Sequence, residues 1–199
     1  SINLFLVGGL FFLLVNCGVH ELFKLMPEKG YAGGEYVVLM ISLAKLYTMF
    51  LGNNGAIITN SKFYRITLPI GVGMALSVYF LNKLFYFQLN FGTDGLALAT
   101  LITILVFNSV KLFFVKSKFS MTPFTDKSFK MMCIIVVMYL LFNFWEFPIT
   151  NIYLYKFPIH PIVNIALKSI LITVLFLFLV IKFSISEQIN SLFKKYIKL

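Results

Sequence analysis

The chain has 199 residues, 60% of them hydrophobic and 12% charged, with a mean hydropathy of +0.92. Soluble domains carry about 25% charged residues, so this composition excludes an ordinary water-soluble globule. The net charge of +10 would suggest nucleic acid in a soluble protein. Here the basic residues fall mostly between apolar runs, where they orient a chain in a bilayer, and no nucleic-acid partner is expected.

Six apolar runs follow one another, each near the ~20 residues a helix needs to cross the hydrocarbon core. The first covers about Ile2 to Leu25, and Pro27 and the turn-forming "EKGYAGGE" end it. The second covers about Tyr36 to Ile58, the third Ile66 to Phe87 and the fourth Leu96 to Val115. The fifth covers about Phe129 to Phe147, closed by Pro148; the sixth covers Ile162 to Phe183, opened by Pro158 and Pro161. The runs are continuous rather than alternating, which favours helices over barrel strands. Backbone groups unsatisfied in lipid are costly, which favours helices again. The expected fold is all-α, a polytopic bundle of six transmembrane helices. The chain opens at Ser1 with no Met and no basic stretch before the first run, so a missing upstream part is expected rather than a signal peptide.

Loop charges alternate. Lys62 and Arg65 lie between the second and third runs. Lys116, Lys118, Lys127 and Lys130 lie between the fourth and fifth or at their edge, and Lys182, Lys194, Lys195 and Lys198 lie at the end of the sixth and beyond it. The other gaps hold few or balanced charges. The positive-inside rule then puts the basic gaps and both chain ends in the cytoplasm. The tail "SEQINSLFKKYIKL" reads either as an interfacial amphipathic helix, with Ile189, Leu192, Phe193, Tyr196 and Ile197 near one face, or as a frayed solvated end.

Polar residues inside apolar runs are the candidate site. Ionisable groups at bilayer depth are expensive and face a bundle interior or a watery cavity. Lys45 lies midway along the second run, and Ser42, Lys45, Thr48, Gly52 and Thr59 share one helical stripe. Asn16 and His20 share a face on the first run, Thr100, Asn108 and Lys111 on the fourth, and Asn164 and Lys168 on the sixth. Lys45, Thr48, Asn16, Lys168 and Asn108 are the candidate cavity lining, suited to an anionic, sugar-bearing ligand. The alternatives are structural. Lys111 and Lys83 reach a helix end and read as snorkelling side chains, Asn and Thr often bridge helices, Lys45 could form an ion pair, and His20 reads as helix-end packing.

No catalytic motif and no Gly-rich nucleotide loop occurs, and "NFGTDG" reads as a tight turn. His20 and His160 lie on separate segments, so no metal or cofactor is expected. Cys17 and Cys133 sit inside apolar runs and read as small buried hydrophobes. An enzyme is not expected.

Three stretches carry a resemblance. "GNNGAIITNSKFY" presents Gly52, Asn54, Ile57, Ile58, Ser61, Lys62 and Tyr64; "GTDGLALAT" presents Gly92, Gly95, Ala97, Ala99 and Thr100; "KFSMTPF" presents Lys118, Phe119, Pro123 and Phe124. Their order and spacing resemble the C-terminal part of Wzx-like polysaccharide (O-antigen) flippases of the multidrug/oligosaccharidyl-lipid/polysaccharide (MOP) exporter superfamily, over about residues 20 to 125. One departure stands out: "FYFQLNFG" lacks the Ile-Pro that the family usually places before the Gly turn.

The resemblance implies a MATE-like two-lobed fold. Residues 1–120 would be four spans of the C-lobe, 121–184 two additional spans and 185–199 a cytoplasmic tail. It implies a multi-pass protein of the bacterial inner membrane that flips a lipid-linked oligosaccharide by alternating access. The implied partners are membrane lipids, that substrate, an N-terminal lobe of the same protein and a coupling ion, Na+ or H+. It gives Gly52, Asn54 and Gly55 a gate or packing role, the glycines by allowing close approach. The alternatives are a multidrug/cation antiporter of the same superfamily and an integral-membrane polysaccharide enzyme, such as an O-antigen polymerase or acyltransferase. The first would favour acids within the spans, and the second a large charged outer loop.

Overall fold

The computed structural model describes residues 2–26, 34–145, 153–154, 157–158 and 160–191. Its elements are α1 (Ile2–Lys24), α2 (Gly34–Leu51), α3 (Asn54–Thr59), α4 (Thr67–Asn82), α5 (Gly92–Phe119), α6 (Asp126–Asn143) and α7 (His160–Lys182). A 3-10 turn, Tyr64–Ile66, leads into α4, and a π-helical segment, Lys83–Gln88, ends it. A short antiparallel ladder, β1 (Tyr153–Leu154) with β2 (Phe157–Pro158), precedes α7. The architecture is thus almost wholly helical. Among the described residues, five helical stretches are long and apolar enough to cross a membrane: α1, α2, Tyr64–Gln88, α5 and α7.

The expected fifth span corresponds to α6, which is not among those five. Thr125 explains its early start. This residue is extended (φ −131°, ψ 159°), and its hydroxyl accepts from the Ser128 amide at 3.2 Å, the geometry of an N-cap. The helix therefore begins at Asp126 rather than Phe129 and takes Asp126, Lys127 and Lys130 into its first turns. Residues 146–147 of the expected span lie outside the described residues, as do residues 192–199 of the tail; residues 187–191 are helical.

The second expected span is corrected. It does not run on to Ile58, because α2 stops at Leu51 and α3 restarts at Asn54. Gly52 makes the break, at φ 67°, in the left-handed region that glycine enters without Cβ strain. The fourth expected span grows at both ends. Asp94 in its first turn and Lys116 and Lys118 in its last complement the helix dipole. Ser120, at φ 53°, stops it by donating its amide to the Lys116 carbonyl at 3.0 Å.

The chain divides into two compact units. One is built from Asn3–Gly8 and Tyr36–Phe124, the other mainly from Gly9–Glu35 and the chain from Thr125 onward. In the first unit, Gly8 lets α1 approach α2, since a Cβ there would overlap the Met49 sulfur. The Phe5 and Phe50 rings meet edge-on at 5.0 Å. Gly95 lets the start of α5 pack on the π-helical segment, where a Cβ would lie 3.0 Å from the Phe85 carbonyl oxygen. No residue of α4 is buried; a helix apolar all round belongs in lipid or against further protein.

At the other end of that unit, Phe63 gathers the basic segments. Its ring meets Phe114 at 5.6 Å and Phe119 at 6.1 Å, and the Lys62 and Lys118 ammonium groups lie 5.2 and 5.9 Å from its centre. The two basic segments after α3 and at the end of α5 therefore share one end of the unit.

In the second unit, Leu13, Met131, Met138, Ile172, Phe176 and Val180 are fully buried. Gly9 brings α1 against α6, where a Cβ would lie 2.5 Å from Ile135 Cδ1. Cys17 is buried as expected, but Cys133 is exposed on α6, so its expected burial is not observed.

Candidate functional site

The interruption of α2 opens a cavity of about 220 Å³ in the first unit. Its walls include Thr48 from α2, Gly52 from the break, Asn54 and Gly55 from α3, and Asn108 and Lys111 from α5. Two ties hold α2 to α5 here. Asn108 Nδ2 donates to Thr48 Oγ1 at 3.1 Å, and the Tyr47 and Ser109 hydroxyls hydrogen-bond at 2.7 Å. Thr48 Oγ1 in turn donates to the Ala44 carbonyl at 2.9 Å. Irregular backbone among apolar helices is tolerated where it lines a cavity or is buried in protein, and the Gly52 break lines one.

The glycines act differently from each other. Gly52 supplies the left-handed turn. A Cβ built on Gly55 meets nothing within 4 Å, so Gly55 borders open space instead of packing closely, as expected of it. Asn54 is 8% exposed, and its Nδ2 has no hydrogen-bond partner.

The electrostatics of this unit are one-sided. It carries seven Lys and Arg residues against a single acid, Asp94. Asp94 sits in the first turn of α5, and Lys111 follows seventeen residues later. At 1.5 Å per residue that separation is about 25 Å, beyond the Debye length of about 8 Å at physiological salt. No carboxylate of the unit therefore offsets the cation at the cavity.

The other predicted residues lie elsewhere. Lys45 is exposed on α2, one turn before Thr48, and is not among the residues lining the cavity. Asn16 and Lys168 belong to the second unit. Asn16 is 4% exposed and donates to the Phe12 carbonyl at 2.8 Å. Lys168 is also 4% exposed, with its ammonium 3.5 Å from the Cys17 carbonyl of α1. Asn164, one turn earlier on α7, is buried with Oδ1 unpartnered. In this unit Asn16 and Lys168 are packed between helices. His20 pairs with Glu35 at 2.7 Å, near the ends of α1 and α2.

Sequence reasoning left two residues out. Lys111 reads as a snorkelling side chain, yet it lines the cavity. The signal was its spacing: three residues after Asn108, it falls on the same helical face. The second is Glu21, near the end of α1: it is 2% exposed, with one carboxylate oxygen 3.0 Å from the Lys24 ammonium and the other unpartnered. Among the described residues, no group of three or more metal-ligating side chains occurs. No protein-family profile, curated protein or solved structure matches this chain at a significant level.

Proposed function

We propose that this chain is part of a transporter that flips a lipid-linked oligosaccharide, a glycan on polyprenyl pyrophosphate, across the bacterial inner membrane for lipopolysaccharide or capsular polysaccharide synthesis. One observation carries the reading. A broken membrane helix opens a cavity lined by amides, a hydroxyl and an ammonium, in a unit whose lone acid lies about 25 Å away along α5. Such a lining suits an anionic head group bearing hydroxyls, with the polyprenyl tail left in lipid. An organic cation would want acids there instead, so the cavity favours the flippase over the cation antiporter.

In this reading the chain supplies six spans, α6 among them, as the C-lobe and two further helices of a two-lobed MATE-like fold. Both chain ends face the cytoplasm. An N-terminal lobe of the same protein completes the cavity, and a coupling ion, Na+ or H+, drives it. No covalent bond is made or broken. The cargo shifts the balance between inward and outward states only as far as it binds them differently. The exposed Lys45, beside Thr48, would face the cargo outside the small cavity.

Deleting the gene in its own host tests this. Lipid-linked glycan should accumulate on the inner leaflet, surface glycan should disappear, and the full-length gene should restore it. Restoration should weaken with Lys45→Ala. Undiminished surface glycan in the deletion strain would sink the proposal.

A further inference from the structure

We infer that the cavity at the α2 break is a phosphoryl subsite, which takes the phosphate end of an anionic lipid and not its sugar. Size comes first. The cavity volume is about 220 Å³. It falls below the roughly 300 Å³ at which pockets for drug-sized ligands begin. A diphosphate fits such a space; an oligosaccharide does not.

The donors come second. Lys111 brings an ammonium, a mobile point charge of the kind that binds phosphate. Asn54 brings an amide whose Nδ2 donates to no protein group although the residue is more than nine-tenths buried. An orphaned buried donor is costly unless something accepts from it. Asn108 brings a second amide, already anchored on Thr48. Acceptor-only partners are missing: Lys111 is in none of the ion pairs among the described residues, and the unit's sole acid is remote. A dense anion with several acceptor oxygens compensates Lys111 beside the Asn54 and Asn108 amides; a neutral sugar hydroxyl leaves the ammonium uncompensated.

The setting comes third. Lys116 lies five residues past Lys111 on α5, about 7.5 Å along the axis, and Phe63 holds Lys62 and Lys118 at the same end. These cations raise the local concentration of anions near the cavity. The subsite depends on the transporter reading only for which lipid carries the phosphate: a lipid-linked glycan or a bilayer phospholipid.

The test uses the purified chain in maltoside micelles, which carry no phosphate. The rate at which an N-hydroxysuccinimide ester acylates each lysine is read by peptide mass spectrometry. Inorganic pyrophosphate is one probe, short-chain phosphatidic acid the second and maltotriose the third, at matched ionic strength. Pyrophosphate or phosphatidic acid should slow acylation of Lys111 at least about tenfold more than that of Lys45, while maltotriose leaves it unchanged. Asn108→Asp, which keeps the side chain's shape and adds a repelling charge, should abolish the protection. Asn54→Leu should raise the half-protecting concentration by about tenfold, the loss of one hydrogen bond to a charged group.

Protection by phosphatidic acid alone would assign the site to bilayer phospholipid; protection by both probes would leave it open to any phosphoryl group. Equal protection of Lys45 and Lys111, protection by maltotriose, or none by either phosphate would overturn the subsite. Protection of Lys111 alongside unchanged surface glycan in the deletion strain would overturn transport and keep the subsite.

Discussion

Asn108 of α5 donates its amide to the Thr48 hydroxyl of α2 at 3.1 Å, beside the point where α2 breaks. The bond joins two residues sixty apart and forms one wall of the cavity. Thr48 accepts from Asn108 while donating to Ala44, so the hydroxyl is used in both directions and Asn108 is held in place.

Replacing Asn108 by Leu should cost about 0.5–1.5 kcal/mol, the usual net worth of one hydrogen bond. Thr48→Val should cost a similar amount, and the double variant no more than the worse single one. Interhelical bonds in membranes average about 0.6 kcal/mol, which sets the scale of the coupling. Unfolding of the four species in mixed micelles measures it. Strict additivity of the two losses would show that the bond contributes nothing.

Gly52 should resist substitution for a backbone reason. At φ 67° a Cβ meets the following carbonyl, at about 1–2 kcal/mol. Gly52→Leu and Gly52→Ala should therefore both lower the thermal midpoint, and Gly52→Asn should do so least, because Asn enters the left-handed region more readily. A Leu variant as stable as the parent would mean that the helix does not break there.

The start of α6 and the segment after α7 are joined by Lys127 and Glu187, 2.6 Å apart. The hydrogen bond and charge of Lys127 hold the Glu187 carboxyl below the ordinary glutamate range. A carboxyl lowered on folding adds stability that is present above its unfolded pKa and fades as pH falls through the folded one. The tie should thus hold at neutral pH and loosen in acid, below the ordinary glutamate range. Glu187 is fully exposed, so the effect on global stability should be slight. Amide exchange of residues 187–191 against pH reads it, and Lys127→Gln should raise the midpoint of that change. An identical midpoint in the variant would separate Glu187 from Lys127.

The apolar runs alone located all seven labelled helices except the short α3, because a bilayer-length segment with few charges has few other ways to satisfy its backbone. Of the three basic segments read as lying on one side, the one after α3 and the one at the end of α5 meet at Phe63. Periodicity placed Asn108 and Lys111 on one face, and Thr48 and Gly52 on another. What it could not supply was which faces meet. Only the tertiary structure brought Thr48, Asn54, Asn108 and Lys111 around one cavity, left Lys45 outside it and buried Lys168 between helices. Hydropathy fixes how deep a residue lies along a helix, but in lipid every face is nearly as apolar as the next. Rotation about the helix axis is therefore set by interhelical contacts: glycines such as Gly8 and Gly9 that admit a neighbour, and single bonds such as Asn108 to Thr48.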